Sequence, residues 1–581
     1  MKPSNEAIIA ALRTLVAYTT LEDGQSQSFR TRAYGKAIDA LSLRSDDVAD
    51  LSLSELKAID GIGDSTARKI LEFVSNGSID KVDRLKKRYP ASMLELLRIP
   101  GLGPKGVLAL QEHLGVTDVD GLRQAIEDEK LRSLPGMGIK SEEKIAAAIE
   151  LLGLHSSEQR SSVADAMTVA VRVIAELERT GLASNIVYAG SLRRLSETIG
   201  DVDILAISES PVQVIDAFVN IAGVSAVLGS GTTKASVVVD DTMQVDLRVV
   251  DEAAYGAAML YFTGNKGHNI ELRQRALLSD MTLNEYALTA VSDGAMVAAT
   301  TEQDIYESLG LPWITPEVRE GAGEIAAALS GELPLPLQIE DIRGDLHVHT
   351  TWSGDGRSTM TEMLDALADR GLDYVALTDH AEDLSINGLT REQVELERDE
   401  IIGQRERLSD LEILHGVELN IGADGSIDYD PDFLATFDFG VASVHSYFDL
   451  DEGAQTERLL AAVQNPAVNV LGHPSGRKIG RRPGIRFNTD AVFEAAAETG
   501  TAIEINASLH RLDLSASQIR TAMTHQGLMV AISTDAHHTR DLENMRFGVA
   551  QARKGWTPVE RVLNSLTKPE FRRFIAEKRE F

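Results

Sequence analysis

The sequence contains no cysteine among its 581 residues, which excludes disulfide bonds and metal sites built on thiolates. No apolar run approaches the roughly 20 residues that a membrane span needs. The first residues, MKPSNEAIIAALRTL, also lack the apolar stretch of a secretion signal. We therefore expect a cytoplasmic protein without a membrane anchor. A chain of this length is too long for one hydrophobic core and should form several domains.

Basic residues are scarce for a protein that would bind DNA by charge alone. Lysine and arginine number 57 against 89 aspartates and glutamates, a net charge of −32, which argues against strong nonspecific binding of nucleic acid. The charge is uneven, because the N-terminal region is nearly neutral and contains the basic cluster KVDRLKKRY (81–89). Some of the carboxylates that dominate the remainder could hold metal ions. The alternative is that they only confer solubility or tolerance of salt.

Three short stretches in the first part of the chain are similar to one another: DGIGDSTARKI (60–70), PGLGPKGVLAL (100–110) and PGMGIKSEEKI (135–145). Each predicts a glycine turn that opens an amphipathic helix, and such a turn can present backbone N–H groups to a phosphate. This is the helix-hairpin-helix pattern, which contacts the DNA backbone without reading bases. The alternative is a purely structural helical repeat. The candidate DNA-binding glycines are Gly61, Gly63, Gly101, Gly103, Gly136 and Gly138.

Secondary-structure signals change from about residue 160 onward. A helix at VADAMTVAVRVIAELERTG precedes strands of a mixed sheet at NIVYAG, DVDILAI, ASVVVD and MQVDLRVV. A helical stretch is predicted over about 253–310, and the segment 321–341, with its glycines and alternating prolines, predicts a linker. After it, strand-like runs alternate with helices and polar residues cluster where each strand ends, which is typical of an α/β barrel.

A candidate catalytic site lies in and after the segment AGSLRRLSETIGDVDIL (189–205). Asp201 and Asp203 are two apart on a predicted strand, so both face one side, and Asp246 can join them from a neighbouring strand. Three carboxylates without histidine suit Mg²⁺ or Mn²⁺. A pair of such ions can activate an attacking hydroxyl and stabilise a leaving phosphate oxygen. The D-x-D pair alone has an alternative explanation, which is that the two aspartates only keep an edge strand soluble.

The residues before these carboxylates favour nucleotidyl transfer over that alternative. Gly190-Ser191 predicts a turn that caps a helix, and Ser191 with Arg194 could bind the terminal phosphates of a nucleotide. The pattern G-S-x-R-R-x(6)-D-V-D resembles that of the family X DNA polymerases, within the nucleotidyltransferase superfamily. The segment 257–288 is similar to the family's passage from palm to thumb, and FRTRAYGKAIDAL (29–41) is similar to its N-terminal helical domain.

The resemblance implies a set of nucleotide-binding residues beside the metal site. They are Gly190, Ser191, Arg194, Gly200, Tyr261, Phe262, Gly264, Asn269 and Arg273. Packing alone could account for Tyr261 and Phe262. The resemblance also implies that Arg248 steadies the carboxylates, and that the palm binds Mg²⁺ or Mn²⁺.

Family members with a 5′-deoxyribose-phosphate lyase form a Schiff base on a lysine of the first hairpin, and Lys69 stands at the matching place. The alternative is that Lys69 binds a phosphate. Ser65 favours this alternative, because it replaces a second lysine that supports the lyase in animal members. Gln244 likewise replaces an arginine that animal members carry two residues before the third aspartate.

Histidines are concentrated in the second half of the chain, where ten of the 13 lie from His347 onward. In GDLHVHTTWSGDG (344–356), His347 and His349 alternate on a predicted strand, so both imidazoles face the same side. Further metal-competent side chains follow at predicted strand ends: Asp355, His380, Glu418, His445, His473, Asp535 and His537. Buried without metal, such groups would repel one another or titrate. Together they provide enough ligands for three ions, with Glu418 bridging two.

This constellation resembles the PHP (polymerase and histidinol phosphatase) domain, a distorted (β/α)7 barrel. The resemblance groups its ligands as His347, His349, Glu418 and Asp535 on one ion, Asp355, His380 and His537 on a second, and Glu418, His445 and His473 on a third. The mixed nitrogen and oxygen ligands suit Mn²⁺, Zn²⁺ or Fe²⁺. Asp379 could support a ligand, and Arg477 or Arg511 could position a phosphate.

The predicted organisation is multidomain, with α+β and α/β parts. It comprises an N-terminal helical, lyase-like domain with a helix-hairpin-helix (1–90), a fingers or DNA-binding helix-hairpin-helix region (91–155), a nucleotidyltransferase palm with a mixed sheet (156–255), a thumb (256–320), a linker (321–341) and a PHP phosphoesterase domain (342–581).

The predicted function is gap-filling DNA synthesis in base excision repair, with a metal-dependent 3′–5′ exonuclease in the barrel. The expected partners are gapped or nicked DNA and deoxynucleoside triphosphates, bound by a monomer associated with the nucleoid. Two alternatives stay open. One is a PHP phosphatase of a small phosphomonoester fused to a DNA-binding module, and the other is a DNA-end scaffold with vestigial sites.

Overall fold

In the computed structural model, the chain forms two compact units, Met1–Gln159 and Arg160–Phe581. The structure describes residues 5–25, 28–42, 48–59, 61–90, 92–97, 99, 102–128, 130–134, 137–139, 141–142, 145–146, 160–384 and 386–580. Within these ranges no helix is long and apolar enough to cross a membrane. The predicted fold class is confirmed, with a helical N-terminal region, a mixed sheet and a parallel barrel. The predicted domain boundaries inside the two units stay predictions.

The N-terminal unit is built from short helices whose apolar faces meet in one core. The helices span Asn5–Asp23, Phe29–Ser42, Leu53–Ala58, Asp64–Asn76, Asp80–Arg88, Ser92–Leu96, Pro104–Ala109 and Val119–Glu127. Val82 and Leu85 show the amphipathic spacing that drives this packing, because both are buried while Arg84, Lys86 and Lys87 of the same helix are exposed.

The first part of the second unit, where the sequence predicts the palm, contains a five-stranded mixed sheet and a separate pair of strands. The seven strands of this part are β1 (Ser161–Ser162), β2 (Ser184–Tyr188), β3 (Thr198–Ile199), β4 (Asp201–Ile207), β5 (Val224–Ser230), β6 (Lys234–Val239) and β7 (Met243–Val250). The sheet order is β2-β4-β7-β6-β5, while β1 and β3 form a separate pair. Strands β4 and β7 run parallel, and the other neighbours run antiparallel. Helices at Val163–Arg179, Gly190–Arg193 and Pro211–Val219 accompany the sheet.

A smaller module follows, with helices at Tyr255–Thr263, Lys266–Leu278, Glu302–Ser308 and Glu324–Ser330. Between them, β8 (Met281–Leu283), β9 (Leu288–Ala290) and β10 (Met296–Ala298) form an antiparallel sheet, so the expectation of one helical stretch over 253–310 is wrong in its second half. Turn residues explain this: Oδ1 of Asn284 accepts hydrogen bonds from the N–H groups of Tyr286 and Ala287 within the first turn, and Gly294 adopts φ +71° in the second. The segment predicted as a linker contains the last of the helices and buries Ile325 and Leu337.

The remaining residues form a barrel of seven parallel strands that are hydrogen-bonded in chain order. The strands are β11 (Gly344–Val348), β12 (Tyr374–Leu377), β13 (Glu412–Asn420), β14 (Phe439–Ser443), β15 (Val470–Gly472), β16 (Ala502–Asn506) and β17 (Val530–Ser533). A bridge between Val348 and Ala536 brings the last strand beside the first. The helices are Met360–Ala368, Arg391–Arg407, Pro431–Leu434, Glu452–Val463, Thr489–Thr499, Ala516–Thr524, Met545–Lys554 and Lys568–Glu580. Because the strands are parallel, their carboxyl ends meet at one rim.

The palm and the barrel share a hydrophobic core. Leu512, Phe547 and Ala550 of the barrel are buried in the same cluster as the palm helix Val163–Arg179 and the inner face of the palm sheet. This shared core fixes the palm against the loops at the barrel rim.

Candidate active sites

Three carboxylates meet at the end of the palm sheet. Asp203 and Asp246 are register partners on the parallel strands β4 and β7. Asp201 lies two residues before Asp203 and therefore faces the same side. The intervening Val202 is fully buried in the palm core, so the period-2 alternation of the strand separates the core from the site.

The electrostatics of this trio indicate a cation site. Burial, together with the charges of Asp201 and Asp246, raises the pKa of Asp203 to about 7. Burial and the charge of Asp246 raise the pKa of Asp201 as well. Carboxylates that disfavour their own ionised form in this way, and that offer only hard oxygen donors, fit a divalent cation such as Mg²⁺.

The turn before β4 leaves room for one of these carboxylates. Gly190 adopts φ +60°, and a Cβ atom at this position would overlap the carboxylate of Asp203. The N–H of Ala189 donates to the backbone carbonyl of Asp203 at 2.8 Å, which fixes the turn against the strand. Glycine is therefore required at position 190 both for backbone conformation and for space.

A cavity of about 650 Å³ opens beside the carboxylates. All nine residues predicted to bind the nucleotide line it, together with Asp201 and Asp203. Arg160 and Lys266 also line it, and neither residue was predicted from the sequence. These two cationic side chains add positive charge around the cavity, which suits the binding of phosphates.

Two aromatic side chains that line this cavity, Tyr261 and Phe262, are each covered by a cationic side chain. The guanidinium of Arg248 lies 4.3 Å from the centre of the Phe262 ring, and that of Arg273 lies 5.2 Å from the centre of the Tyr261 ring. Arg248 also lowers the pKa of Asp203, against the stronger effects that raise it. Asn269 donates to the carbonyl of Tyr261 at 2.8 Å, so it helps to fix the backbone at Tyr261.

Two of the predicted DNA-binding turns have described glycines at helix N-termini. Gly63 is the N-cap of helix Asp64–Asn76, and Gly103 is the N-cap of helix Pro104–Ala109. Gly61, before the first of these helices, adopts φ +89°. In the third turn, the carbonyl of Gly138 accepts hydrogen bonds from the N–H groups of Ser141 and Glu142. Gly101 and Gly136 lie outside the described residues.

Lys69 lies on the helix that follows the first of these turns, next to a second cation. Its Nζ donates to the Ser65 hydroxyl at 3.2 Å, and it lies 5.9 Å from the centre of the Tyr34 ring, as does Nζ of Lys81. Burial and the charge of Lys81 lower the pKa of Lys69. A lowered pKa is the property that a nucleophilic lysine needs.

At the barrel rim, four of the predicted ligands lie close together: His347, His349, Glu418 and Asp535. Oε2 of Glu418 lies 3.3 Å from Nε2 of His347 and 3.4 Å from Nε2 of His349. Oδ1 of Asp535 lies 3.7 Å and 3.4 Å from the same two nitrogens. Burial lowers the pKa of His347, but Glu504, Glu418 and Asp535 outweigh this effect and raise it well above its usual value.

A second group lies beside the first, around the Asp355 carboxylate. Oδ2 of Asp355 is 3.6 Å from Nε2 of His380 and 3.5 Å from Nε2 of His537. The two histidines hold the pKa of Asp355 well below its usual range despite burial. Burial lowers the pKa of His380, but Glu418 and Asp355 outweigh this effect and raise it to about 10. Burial also lowers the pKa of His537, but Asp355 and Asp535 raise it to about 8.

A third group uses the other oxygen of Glu418. Oε1 lies 3.2 Å from Nε2 of His445 and 3.0 Å from Nε2 of His473. The far nitrogen of His445, Nδ1, is 2.7 Å from Oδ1 of Asn420, which orients the ring. Glu418 is thus positioned to bridge two groups, as the sequence suggested, and its carboxylate is only 1% exposed.

Unpaired ligand atoms indicate that this cluster fits metal ions. Nε2 of His347, Nε2 of His349 and Oε2 of Glu418 are buried and form no hydrogen bond with any described residue. They nevertheless lie within 4.8 Å of one another. Burying polar atoms without partners costs about 1–3 kcal/mol each, and a shared cation removes that cost.

Sequence reasoning missed the residue that supports two of the ligands. Glu504 is fully buried on β16; its Oε1 is 2.7 Å from Nδ1 of His347, and its Oε2 accepts from the N–H of His473 at 2.6 Å. Asn506, two residues on, donates both to Glu504 and to Oδ2 of Asp535. The only sequence signal was a charged residue inside an otherwise apolar strand, AIEINAS.

Asp379 and Arg477, two of the three supporting residues suggested by sequence, have backbone-anchoring roles. Asp379 accepts from the N–H groups of Thr350 and Ser353, so it shapes the loop after β11. Arg477 donates to the carbonyls of Arg511 and Leu512 and pairs with Glu197 of the palm. Neither residue coordinates the cluster.

Arg511, the third, faces a cleft of about 690 Å³ that reaches the cluster. Its Nε lies 3.4 Å from Oδ2 of Asp535, and its buried Nη1 forms no hydrogen bond with a described residue. Arg357, Lys478 and Arg540 also line this cleft. The cleft therefore combines metal-competent ligands with a basic wall suited to a phosphate chain.

Family models match four segments of the chain. They are described as a helix-hairpin-helix domain (residues 3–79), a SAM-like helix-hairpin-helix tandem (93–150), a DNA polymerase beta thumb (258–320) and a PHP domain (345–508).

Curated relatives cover either the whole chain or one of its halves. The chain is 36% identical, over 98% of both lengths, to "DNA polymerase/3′-5′ exonuclease PolX" of Bacillus subtilis. It is 27% identical to DNA polymerase lambda of Rattus norvegicus over 51% of this chain and 53% of that protein. A probable phosphatase of Caldanaerobacter subterraneus is 30% identical over 43% of this chain and 96% of its own length.

Proposed function

The chain belongs to the family X DNA polymerases that carry a C-terminal PHP domain, and we propose that it fills gaps in DNA and trims DNA 3′ ends. One observation carries this proposal: the same chain holds a carboxylate trio beside a cavity lined by all nine predicted nucleotide-binding residues, and a cluster of nine histidine and carboxylate side chains. Each site has the donor set for metal-dependent phosphoryl chemistry.

In the polymerase site, the residues bind and orient the triphosphate. The N-terminal turn of helix Gly190–Arg193 offers backbone N–H groups, and Ser191 and Arg194 line the same cavity. Tyr261 and Phe262 provide an apolar wall for the sugar. We propose that Asp201, Asp203 and Asp246 hold Mg²⁺ or Mn²⁺, which when bound activates the primer hydroxyl and neutralises charge at the α-phosphate.

In the exonuclease site, the cleft beside the cluster guides the strand. Arg511, Lys478 and Arg540 line this cleft and give it a positive wall. We propose that the nine ligands hold up to three ions, of Mn²⁺, Zn²⁺ or Fe²⁺, which when bound supply a nucleophilic water and stabilise the leaving oxygen. Glu504 keeps His347 in one tautomer and fixes its ring.

We propose that the helix-hairpin-helix turns of the N-terminal unit bind the backbone of gapped or nicked DNA, and that the protein acts as a cytoplasmic, nucleoid-associated monomer in base excision repair. The alternative of a small-molecule phosphatase is less consistent with the relatives, because the full-length match is to a polymerase and exonuclease. The alternative of a scaffold with vestigial sites is less consistent with complete ligand sets in both halves.

A lyase activity at Lys69 is a separate part of the proposal, supported by the lowered pKa of this lysine and by neighbouring Lys81. Borohydride would trap a covalent adduct between the chain and DNA that ends in 5′-deoxyribose phosphate. We expect the adduct in the parent protein and not in Lys69→Ala, with Lys57→Ala as a control. If Lys69→Ala gives as much trapped adduct as the parent protein, Lys69 is not the lyase nucleophile.

Two matched substitutions test the division of the two main activities. Asp201→Ala should reduce primer extension by roughly 10³-fold or more and leave 3′ end degradation unchanged, because it removes a ligand from the palm alone. His349→Ala should do the reverse. Circular dichroism and a melting curve check that each variant is folded. Loss of both activities in one folded variant would reject two independent sites.

A further inference from the structure

The last turn of the barrel helix Met545–Lys554 contacts the phosphate-binding turn of the palm. Nζ of Lys554 donates to the backbone carbonyls of Arg194 at 3.0 Å and Leu195 at 3.3 Å. It also pairs with Oε1 of Glu320 at 2.8 Å. The side chain is only 13% exposed, so these contacts are shielded from water.

These carbonyls belong to the end of the short helix Gly190–Arg193, where a cation is needed. The last carbonyls of a helix have no partner within it, and a lysine can satisfy them while it offsets the negative end of the helix dipole. Leu195 adopts φ +52°, a conformation that leucine rarely takes, and its side chain is buried. Lys554 therefore stabilises a strained exit from the helix whose first turn faces the nucleotide.

Glu320 connects Lys554 to a residue of the nucleotide cavity. Its Oε1 lies 2.8 Å from Nζ of Lys554 and 3.6 Å from Nε of Arg194. Nη1 of Arg194 donates to the carbonyl of Thr263, and both residues line the cavity. Without Lys554, Arg194 would be the described cation left at ion-pair distance from Glu320, and we expect this pairing to draw the guanidinium away from a phosphate.

A second contact from the barrel holds the same loop farther along. Nη1 of Arg477 pairs with Oε1 of Glu197 at 2.8 Å, while Nε of Arg477 is fixed by the carbonyl of Arg511 at 2.8 Å. The backbone carbonyl of Glu197 in turn accepts from the N–H of Val163, at the start of the palm helix. The loop that connects the phosphate turn to the catalytic strand is thus held at its start by Lys554 and near its middle by Arg477.

We propose that the PHP barrel supplies positioning residues to the polymerase site, with Lys554 setting the phosphate-binding turn through Arg194 and Glu320, and Arg477 setting the loop that follows. This inference rests on the proposed function of the palm. It assigns the barrel a role in nucleotide binding that is independent of its own metal cluster.

The test measures nucleotide binding and both activities in the full-length protein. Lys554→Met removes the charge and keeps the length of the side chain, and Lys554→Arg restores a cation. Lys568→Met is the control, because Lys568 also donates to a backbone carbonyl, that of Asp410, but in an exposed contact of the barrel. Calorimetry with dTTP, Mg²⁺ and gapped DNA that carries a dideoxy-terminated primer reports binding without turnover.

We expect Lys554→Met to weaken dTTP binding and raise KM for the nucleotide by roughly tenfold, the loss typical of charge-assisted hydrogen bonds. The kcat of primer extension should change less than KM, and exonuclease activity should stay within about twofold of the parent. Lys554→Arg should recover most of the binding, and Lys568→Met should match the parent.

Two results would overturn the inference. One is an unchanged affinity of Lys554→Met for dTTP. The other is an equal loss of polymerase and exonuclease activity in both Lys554→Met and Lys554→Arg, which would indicate that Lys554 has only a structural role. A parent protein that binds no dTTP would instead refute the proposed function of the palm. The double variant Lys554→Met/Glu320→Gln should lose no more affinity than the worse single variant; additive losses would contradict the proposed coupling.

Discussion

Replacing Glu504 by alanine is the most direct test of how the barrel holds its metal ligands. Glu504 is not a predicted ligand, yet one oxygen contacts His347 at 2.7 Å and the other accepts from the N–H of His473 at 2.6 Å. It also accepts from Asn506, which donates to Asp535. The substitution therefore loosens three of the nine ligands without removing any of them.

The size of the effect follows from those contacts. Loss of a carboxylate that orients a metal-ligating histidine typically lowers metal affinity or activity by about 10- to 100-fold. The alanine also leaves the N–H of His473 buried without a partner, which costs about 1–3 kcal/mol in the free energy of unfolding. We expect Glu504→Gln to lose less, because an amide oxygen can still accept from His347.

The assay follows release of the 3′ nucleotide from labelled DNA over a titration of Mn²⁺, with primer extension by the same preparations as the control. Glu504→Ala should need about 10- to 100-fold more metal for half-maximal exonuclease activity, while primer extension stays unchanged. An unchanged metal requirement would refute the supporting role of Glu504. A parallel loss of primer extension would point to general unfolding instead, which the melting temperature would reveal.

Three further outcomes follow from the structure. Gly190→Ala should reduce primer extension, measured as kcat/KM for dTTP, by at least about tenfold. The added methyl group would displace the Asp203 carboxylate, and the backbone at this position has φ +60°, which alanine rarely adopts. Normal activity of this variant would contradict the proposed geometry. Because the pKa of Asp203 is raised to about 7, the folded, metal-free protein binds more protons there than the unfolded chain, so its stability should fall as pH rises from about 4 to 7. Asp203→Asn should weaken this fall in melting curves recorded in EDTA; an identical pH profile would show that Asp203 does not cause it. Arg511→Ala should raise KM of the exonuclease for DNA by roughly tenfold with a smaller change in kcat, and Arg511→Lys should lose less; an unchanged KM in steady-state assays would exclude a phosphate contact.

Much of both sites could be predicted from the sequence because strand periodicity places alternate residues on one face. Asp201 and Asp203, like His347 and His349, needed only a correctly predicted strand to be assigned a common side. The convergence of distant strand ends also follows from the parallel order of the barrel, since all carboxyl ends meet at one rim. The strand predicted at His347 and His349 is observed as β11, and the barrel has the seven parallel strands that the resemblance implied.

Contacts that depend on how separate elements pack could not be predicted in this way. Glu504 differs from its neighbours only as a charge in an apolar strand, and nothing local shows that it faces His347, 157 residues away. Lys554 ends an ordinary amphipathic helix, and its partner carbonyls lie 360 and 359 residues earlier. The thumb strands β8–β10 were missed for a different reason. They are three residues long, too short for a period-2 pattern to outweigh the helical signal around them.

In both sites, the folded protein holds several ionisable side chains close together, and neighbouring groups must limit the resulting repulsion. In the palm, the absence of a Cβ at Gly190 gives Asp203 room, and Arg248 partly offsets the crowded carboxylates. In the barrel, histidines alternate with carboxylates, so that Glu418 is balanced by several imidazoles. Both arrangements gain stability when a cation binds, because the folded state binds it and the unfolded chain does not. Since Leu512, Phe547 and Ala550 lie in the palm's own core, cations held by the barrel also stabilise the frame on which the polymerase site is built.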